Sequence, residues 1–313
     1  MIARDNSHSI AKQNKPVIVG KTWLKVTNYA GGIEGPAFDR QGNLYFVLVG
    51  GDKEGWKVFK VSPDKMITKI YRDKVSHFTS IKIHKDGRLF LCDANSGATK
   101  SGRVIAMNPD GTSITDIVTN YHSTPVRPND MVFDSKGNLY WTDFQGNVLN
   151  PTGRVFRISS DLTNNELLAG GFAGPNGITL SPDERLLWVA DMFTNRLIAL
   201  EFEPGTVGRT IIRSFAAYHF TGLKGPDSNT VDAEGNIYQA IYGQGKVVVL
   251  NKEGIPVQEL MTPERKTLNQ LDTTNVAIKP GSDEGVITVG GTDGNYIVKF
   301  KALALGLRSF SHQ

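Results

Sequence analysis

The feature that most constrains the fold is a short phrase that recurs six times along the chain. Each copy passes from an apolar residue through a polar turn to a second apolar or aromatic run, as a β-hairpin does. The copies read FDRQGNLYF (38–46), IHKDGRLFL (83–91), FDSKGNLYW (133–141), LSPDERLLW (180–188), VDAEGNIYQ (231–239) and the more divergent IKPGSDEGVITV (278–289). Their first residues are 45 to 51 positions apart, which is the period of a four-stranded propeller blade.

Further short strands are predicted after each copy, bounded by glycine, asparagine or proline. No long stretch has the period of an amphipathic helix, which argues against a βαβ fold, and a β-sandwich has no reason to repeat six times. We therefore predict an all-β protein, a six-bladed β-propeller that occupies residues 1–313 as a single domain. The sixth blade lacks a strand at the C-terminus, so an N-terminal strand at 22–26 should complete it, after an extension over about residues 1–20.

Composition excludes several other classes of protein. The chain has 313 residues and a net charge of +4, and its acidic and basic residues are mixed without long blocks of one sign. We therefore expect no nucleic acid as a partner. No stretch reaches the roughly 18 apolar residues of a membrane span, so no membrane is expected as a partner either. The expected assembly is a monomer or a homodimer. The N-terminus has no apolar signal-peptide region, and Cys92 is the only cysteine, so a cytoplasmic location is expected. A signal peptide that had been removed would instead imply a periplasmic or secreted protein.

One polar residue stands four positions before each copy of the phrase. These residues are Glu34, Thr79, Asn129, Asn176, Asp227 and Thr274. The innermost strand of each blade lines the central channel of a propeller, so equivalent residues of six inner strands converge on the axis. We therefore expect these side chains to form a ring at one end of the channel.

Four members of the ring have the chemistry of a cation site. Glu34 and Asp227 offer carboxylates, and Asn129 and Asn176 offer amide oxygens. Hard oxygen ligands of this kind suit Ca²⁺, Mg²⁺ or Mn²⁺ better than Zn²⁺ or Cu²⁺. Two carboxylates match the charge of a divalent metal, and Ca²⁺ is favoured because it accepts irregular geometry. Thr79 and Thr274 have a plain structural interpretation as hydrogen-bonding residues near the axis.

The chain resembles the gluconolactonase and senescence-marker-protein (regucalcin-like) family over roughly residues 30–300. The motifs that carry this resemblance are IEGPAFD (33–39), RPNDMVFD (127–134), GPNGITLSPD (174–183) and GPDSNTVDAEGNIY (225–238). The chain is most similar to the drug-responsive lactonases of Gram-positive bacteria in IKIHKDGRLFLCD (81–93), YHFTGLKGPDS (218–228) and IYGQGKVVVLNKEG (241–254). The resemblance implies a six-bladed propeller with a catalytic divalent metal and a lactone substrate.

The resemblance also implies roles for individual residues. It assigns Glu34, Asn129, Asn176 and Asp227 as metal ligands, with Ser228 as a further contributor. Asp130 follows the ligand Asn129 and is expected beside the site. The drug-responsive lactonases tend to carry an acid where this chain has Asn129, and the motif R-P-N-D is closer to the gluconolactonase pattern, in which the arginine contacts the substrate. Arg127 is therefore a candidate substrate-binding residue, together with Thr79 and Asp130.

The leading hypothesis is metal-dependent hydrolysis of a sugar lactone or an aromatic lactone. A divalent ion, Ca²⁺ or alternatively Mg²⁺, Mn²⁺ or Zn²⁺, would polarise the carbonyl group and activate a water molecule. Glu34 and Asp227 are the candidate catalytic residues, and Asp227 is our candidate for the general base.

Two alternatives use the same propeller. The first is a phosphotriesterase or arylesterase with the same metal site, in which His77 or His219 could reach the channel mouth. The second is a non-enzymatic calcium-binding propeller. A second, structural calcium could also bind the oxygen-rich loop 93–102, although no clean ligand spacing supports it.

Overall fold

The computed structural model describes residues 15–94, 101–206 and 208–313, which form a ring of six antiparallel sheets. The loop 93–102, considered above for a second calcium, lies largely outside these residues. Two strands precede the first blade: β1 (Val17–Val19) and β2 (Lys21–Lys25). Blade 1 contains β3 (Ile33–Phe38), β4 (Leu44–Leu48), β5 (Trp56–Val61) and β6 (Ile67–Arg72). Blade 2 contains β7 (Phe78–Ile83), β8 (Leu89–Asp93), β9 (Arg103–Met107) and β10 (Thr115–Val118).

The other four blades repeat this order. Blade 3 contains β11 (Pro128–Phe133), β12 (Leu139–Asp143), β13 (Gly153–Ile158) and β14 (Asn165–Phe172). Blade 4 contains β15 (Pro175–Leu180), β16 (Leu186–Asp191), β17 (Arg196–Phe202) and β18 (Ile211–His219). Blade 5 contains β19 (Pro226–Val231), β20 (Ile237–Ile241), β21 (Lys246–Leu250) and β22 (Pro256–Met261). Blade 6 contains β23 (Asp272–Ile278), β24 (Glu284–Gly291) and β25 (Gly294–Lys301).

Helical structure within the described ranges is limited to 3₁₀ turns at Met192–Thr194, Arg265–Thr267 and Phe310–His312. Within the same ranges, no helix is long and apolar enough to cross a membrane. The predicted six-bladed, four-stranded propeller is therefore confirmed.

The repeated phrase forms the turn between the innermost strand and the second strand of a blade. In blade 3, the Asp134 carboxylate accepts hydrogen bonds from the backbone N–H of Asn138 (2.8 Å) and from its side-chain Nδ2 (2.7 Å). Gly137 has a φ of 85°, a conformation that residues with a Cβ rarely adopt. The acid and the glycine of the phrase therefore build the turn, and the polar residue four positions earlier lies at the opposite end of the inner strand.

The hydrophobic core is divided among the six interfaces between neighbouring blades. Each interface has its own cluster of buried side chains, because both faces of every inner and second strand pack against another blade. The second strands β4, β8, β12 and β20 are buried at every position. Trp141 and Cys92 are buried in the interface between blades 2 and 3, and Trp188 is buried in the interface between blades 4 and 5.

The N-terminal segment closes the ring. Strand β2 pairs antiparallel with β25, through Lys21 opposite Lys299 and Lys25 opposite Tyr296, and becomes the outer strand of blade 6. This confirms the predicted closing strand. Strand β1, in the segment expected to be an extension, adds parallel to β22 at the outer edge of blade 5. One residue, Gly20, separates β1 from β2, so this short segment fastens blade 5 to blade 6.

The C-terminal segment 302–313 crosses the end of the channel where the repeated turns lie. Gly306 bridges to Asp232 of blade 5 and to Pro280 of blade 6. Phe310 packs against Phe133 of blade 3 and His84 of blade 2. Between this segment and the inner strands lies a cavity of about 290 Å³. The segment therefore covers the end of the channel that lies away from the polar ring.

Candidate functional site

The six predicted ring residues all lie near the start of an inner strand, at the same end of the propeller. Each inner strand contacts the inner strands of both neighbouring blades, so the starts of the six strands surround the axis. The pairing between first and second strand is irregular beside every ring residue, at Glu34, Thr79, Asn129, Asn176, Asp227 and Thr274. Such bulges re-aim a side chain that would otherwise stand on one face of the sheet.

Prolines fit this local geometry in three blades. Pro128, Pro175 and Pro226 are the first residues of β11, β15 and β19, and each directly precedes a predicted ligand. Proline has no N–H to donate to a ladder, so it is tolerated at the start of a strand or at a bulge. The motif of proline followed by asparagine or aspartate thus places the polar side chain where regular pairing breaks.

The two ring carboxylates are buried close to each other. Glu34 is 8% exposed and Asp227 is 5% exposed. Burial raises the pKa of Glu34 well above its ordinary value, and the charges of Asp227 and Asp130 raise it further. Burial also raises the pKa of Asp227, although a hydrogen bond from Asn176 partly offsets this. Without a cation, the fold therefore keeps these groups at a cost in electrostatic energy.

Asp130 adds a third buried carboxylate beside the ring. It is fully buried, and its Oδ1 atom accepts a hydrogen bond from Ser80 Oγ (2.6 Å) and lies 3.5 Å from Lys82 Nζ. Its Oδ2 atom has no hydrogen-bond partner among the residues that the structure describes. A buried carboxylate oxygen without a partner carries a substantial desolvation penalty, which a nearby cation or bound water would relieve.

These observations test whether the ring suits a metal. In the described part of the chain, no three His, Cys, Asp or Glu side chains are grouped closely enough to hold a metal ion by themselves. A cation at the ring would therefore depend on amide and hydroxyl oxygens in addition to the two carboxylates. Asn176 Oδ1 and Ser228 Oγ lie 3.4 Å apart, which brings two such oxygens together beside Asp227. The donor set fits a hard, oxygen-binding divalent ion and not a thiolate- or imidazole-bound one.

The ring threonines make structural hydrogen bonds between blades. Thr79 donates its hydroxyl to the backbone carbonyl of Asn129 in the next blade (2.8 Å). Thr274 donates to the carbonyl of Ile33 across the junction between blades 6 and 1 (2.6 Å). The structural interpretation of both residues therefore has direct support. A contact between Thr79 and substrate stays a prediction, and it would have to use the lone pairs of a hydroxyl whose proton is already engaged.

Arg127 is exposed and lies two residues before Asn129. Its guanidinium group lies 5.5 Å from the centre of the Phe144 ring, and Phe144 meets Phe193 edge-on at 5.4 Å. Met192 directly precedes Phe193 in the sequence. Its sulfur accepts a weak hydrogen bond from Asn176 Nδ2 (3.7 Å). Arg127, Phe144 and Phe193 thus form a continuous set of contacts at the surface, which we call the aromatic wall. Met192 connects this wall to Asn176, a predicted ligand. His219, by contrast, is exposed at the end of β18, the outermost strand of blade 4.

Sequence reasoning missed several residues that contact the ring. Asn275 donates to Glu34 Oε2 (3.2 Å), and Gln239 donates to the backbone carbonyl of Asp227 (2.7 Å). Ser80 and Lys82 contact Asp130. Ser80 and Asn275 each directly follow a ring residue, so extending the alignment of the repeats by one position would have found them. Gln239 lies on a second strand at a level where four other blades have an apolar residue, namely Leu91, Trp141, Val189 and Ile287. A polar residue at that position is also a signal that the sequence contains.

Comparisons with known proteins agree with this architecture. Residues 33–271 match the model of the SMP-30/Gluconolactonase/LRE-like region. The chain is 35% identical over 316 residues to lactonase drp35 of Staphylococcus saprophyticus, covering 98% of this chain and 96% of that protein. It is 37% identical over 315 residues to lactonase drp35 of Staphylococcus aureus, covering 97% of this chain and 93% of that protein.

Solved structures show the same fold at lower identity. A gluconolactonase from Xanthomonas campestris superimposes with a TM-score of 0.71 at 19% identity, covering 88% of each chain. The calcium-binding protein regucalcin from Agrobacterium tumefaciens gives a TM-score of 0.69 at 16% identity, covering 93% of this chain and 98% of that chain. The chain therefore belongs to the SMP-30/gluconolactonase/LRE-like family.

Proposed function

We propose that this protein hydrolyses lactones with a divalent cation held by Glu34, Asn129, Asn176 and Asp227, assisted by Ser228. The observation that carries the proposal is a set of buried carboxyl groups at the ring whose pKa values are raised by burial and by one another. Two ring carboxylates and Asp130 are buried together, and one oxygen of Asp130 is unpartnered among the described residues. The names of the staphylococcal relatives support a lactone as the substrate.

A divalent cation bound at the ring supplies Lewis-acid polarisation of the lactone carbonyl. Asp227 then accepts a proton from the attacking water molecule while the water oxygen bonds to the carbonyl carbon of the lactone. The ester C–O bond of the lactone breaks. The same proton is returned to the alkoxide that leaves. A carboxylate can take up a proton and return it in this way, so Asp227 is our candidate general base. Glu34 holds its charge beside the reacting centre and serves as the second acidic ligand.

We propose Ca²⁺ as the native ion. Two carboxylates match its charge, and neutral amide oxygens complete the first set of ligands without adding further charge. Calcium accepts six to eight oxygen ligands in irregular geometry, which suits four ring residues that come from four different blades. Magnesium and manganese use similar donors and are the nearest competitors.

The residues around the ring would orient the substrate. Arg127 stands over Phe144, so its guanidinium group can donate to the polar oxygens of a lactone while the aromatic wall contacts its carbon face. Asp130 lies behind Asn129 with Ser80 and Lys82 as partners, so it acts from beside the ring. A sugar lactone would depend mainly on Arg127, and an aromatic lactone mainly on Phe144 and Phe193.

The test is a hydrolysis assay on metal-stripped protein, with Ca²⁺, Mg²⁺, Mn²⁺ or Zn²⁺ restored separately. The substrates are gluconolactone, dihydrocoumarin, a phosphotriester and a phenyl ester. We expect lactone opening that requires added metal and is lost in Glu34→Gln and Asp227→Asn. Glu201→Gln is the matched control, because Glu201 is a similarly buried acid (9% exposed) in the third strand of blade 4.

Each other outcome selects a different function. Turnover of the phosphotriester or phenyl ester in preference to both lactones would overturn the lactonase assignment and favour the esterase alternative. Tight cation binding with no turnover of any substrate would favour a calcium-binding propeller.

A further inference from the structure

Blade 5 carries a buried polar pair where other blades carry apolar pairs. The position compared is the inner-strand residue two places after the ring residue, together with the second-strand residue that pairs with it. In four other blades this pair is apolar on both sides: Ile81 with Leu91, Met131 with Trp141, Ile178 with Val189 and Val276 with Ile287. In blade 5 the pair is Asn229 with Gln239. Asn229 is 2% exposed and Gln239 is fully buried.

The contacts of this pair converge on the backbone of the predicted ligands. Asn229 Nδ2 donates to Gln239 Oε1 (3.0 Å). Gln239 Nε2 donates to the carbonyl oxygens of Asp227 (2.7 Å), Ser228 (3.2 Å) and Ala240 (3.1 Å). A single side-chain amide thus contacts two consecutive residues of the proposed cation site, and Asn229 holds that amide in orientation.

The bulge explains why a donor is needed there. The ladder pairs Pro226 with Ile241 and resumes at Asn229 with Gln239, so Asp227 and Ser228 lie in the irregular stretch between them. Their carbonyl groups are directed away from regular ladder partners, and a buried carbonyl without a donor is unfavourable. Gln239 supplies the missing donor from the second strand.

A bulge by itself does not require a glutamine, because four other blades have irregular pairing at the same place without one. Apolar pairs serve the same position in other blades, and a buried apolar pair is commonly as stable as a buried polar one or more so. One polar atom of the pair, Asn229 Oδ1, has no hydrogen-bond partner among the described residues, which adds to the energetic cost. A costly polar pair behind the predicted ligands suggests that it has a role in the site.

We propose that Gln239, oriented by Asn229, is a positioning residue that fixes the backbone of Asp227 and Ser228 and thereby sets the cation affinity of the ring. This inference rests on the proposed function for its cation site. Partners of metal ligands commonly change metal affinity tenfold to a hundredfold when they are replaced, although they do not touch the metal.

The experiment titrates Ca²⁺ alone into metal-free protein by calorimetry, for the wild type, Gln239→Met and Gln239→Glu. Methionine keeps the approximate size of the side chain and removes its amide. Glutamate keeps the acceptor for Asn229 but replaces the donor to Asp227 and Ser228 with oxygen. We expect both variants to bind Ca²⁺ with affinity lower by about tenfold or more. The control is Ile287→Val, which loosens the equivalent position of blade 6 without removing a donor.

A double-mutant cycle separates positioning from general destabilisation. If Gln239 acts through Asp227, then Gln239→Met should weaken Ca²⁺ binding much less in an Asp227→Asn background than in the wild type. Affinity that is unchanged in both Gln239 variants, or lowered equally by Ile287→Val, would overturn the inference while leaving lactone hydrolysis intact. If the Gln239 variants bind Ca²⁺ more weakly than the wild type, but the wild type hydrolyses no lactone, the inference is supported and the proposed activity is overturned. A wild-type protein that binds no cation would overturn both.

Discussion

At the residue scale, the central feature is a group of buried carboxylates whose charges oppose one another. Glu34 and Asp227 come from blades 1 and 5, and Asp130 comes from blade 3. Hydrogen bonds from Asn275, Asn176 and Ser80 offset part of the cost of burying these groups. A divalent cation would remove the remaining repulsion. The effect of this repulsion should therefore be measurable in the stability of the metal-free protein.

The stability of the metal-free protein should depend on pH through these carboxylates. Burial raises the pKa of Asp227 to about 8, and it raises the pKa of Glu34 in the same direction. A carboxyl group whose pKa is higher in the folded state stabilises the fold fully below its unfolded pKa of about 4, and this contribution disappears as pH rises through the folded value. We therefore expect the Tm of metal-free protein to fall between about pH 5 and pH 8. Calcium should remove most of this slope.

The double variant Glu34→Gln/Asp227→Asn provides the control for this pH dependence. Other groups contribute equally to both proteins, so the difference between the two Tm curves isolates the ring carboxylates. Parallel curves for the metal-free wild type and the double variant would show that the pKa values of these carboxyl groups are not raised in the folded protein.

Arg127 should affect substrate binding more than the chemical step. It is exposed and lies on Phe144, outside the buried carboxylates, so Arg127→Ala should raise KM about tenfold with little change in kcat. Arg72→Ala is a matched control, because Arg72 is an exposed arginine that lies 5.0 Å from the ring centre of Trp56 on the outer strand β6. Steady-state kinetics on the preferred lactone would check this, and a fall in kcat at unchanged KM would contradict it.

At the scale of the element, the β-bulge turns an ordinary inner strand into part of a site. Side chains of a regular strand alternate between its two faces, and in a propeller both faces are occupied by neighbouring blades. The irregular pairing at the start of each inner strand breaks this alternation beside the ring residues. Close approach of neighbouring inner strands then brings oxygens from different blades within reach of one another.

Gly177 shows how tight this approach is. A Cβ added to Gly177 in blade 4 would lie 2.5 Å from the Cα of Ser228 in blade 5. Gly177→Ala should therefore push the two inner strands apart, weaken Ca²⁺ binding and destabilise the fold by about 1–3 kcal/mol. Gly170→Ala in the outer strand β14 is the control, because its Cβ would meet only the Gly153 carbonyl, at 4.0 Å. Calcium affinity and denaturant unfolding measure the two effects, and equal behaviour of both variants would contradict this account of the interface.

At the scale of the whole molecule, stability comes from six interfaces that exist only when the ring is closed. Each blade covers both of its faces with neighbours, and β2 supplies the outer strand of blade 6. The C-terminal segment 302–313 covers the turn end of the channel, so we expect a substrate to reach the proposed site from the ring end. We therefore expect the whole fold to depend on closure by the N-terminal strand.

Two truncations should separate the roles of β1 and β2. Removal of residues 1–19 deletes β1, which only extends the already four-stranded blade 5, so the protein should remain folded. Removal of residues 1–25 also deletes β2, so β25 would expose an unpaired edge and the protein should aggregate or unfold. Size-exclusion chromatography and thermal unfolding would check both. A folded, monodisperse protein after the longer truncation would contradict the role given to β2.

The fold could be predicted because its signals are local and repeated. A hairpin phrase at a regular period indicated six blades, and the closing strand, predicted at 22–26, is observed at Lys21–Lys25. The parallel pairing of Val17 with Glu259 and the bridges of Gly306 to blades 5 and 6 were not predicted, because they join residues far apart in the sequence. Gln239 was missed for a different reason. Its contact with Asp227 depends on a bulge, and strand periodicity assumes regular pairing.

The measurement that tests the account most directly is a Ca²⁺ titration of metal-free protein in which cation binding and hydrolysis of one lactone are followed in the same sample. We expect one cation per chain at the ring, with hydrolysis rising from a negligible level in proportion to the occupied fraction. Asp227→Asn should bind Ca²⁺ measurably more weakly and lose hydrolysis, and Glu201→Gln should retain both signals. Full lactone hydrolysis by metal-free protein, or activity that does not follow cation occupancy, would contradict the assignment of the ring as a catalytic metal centre.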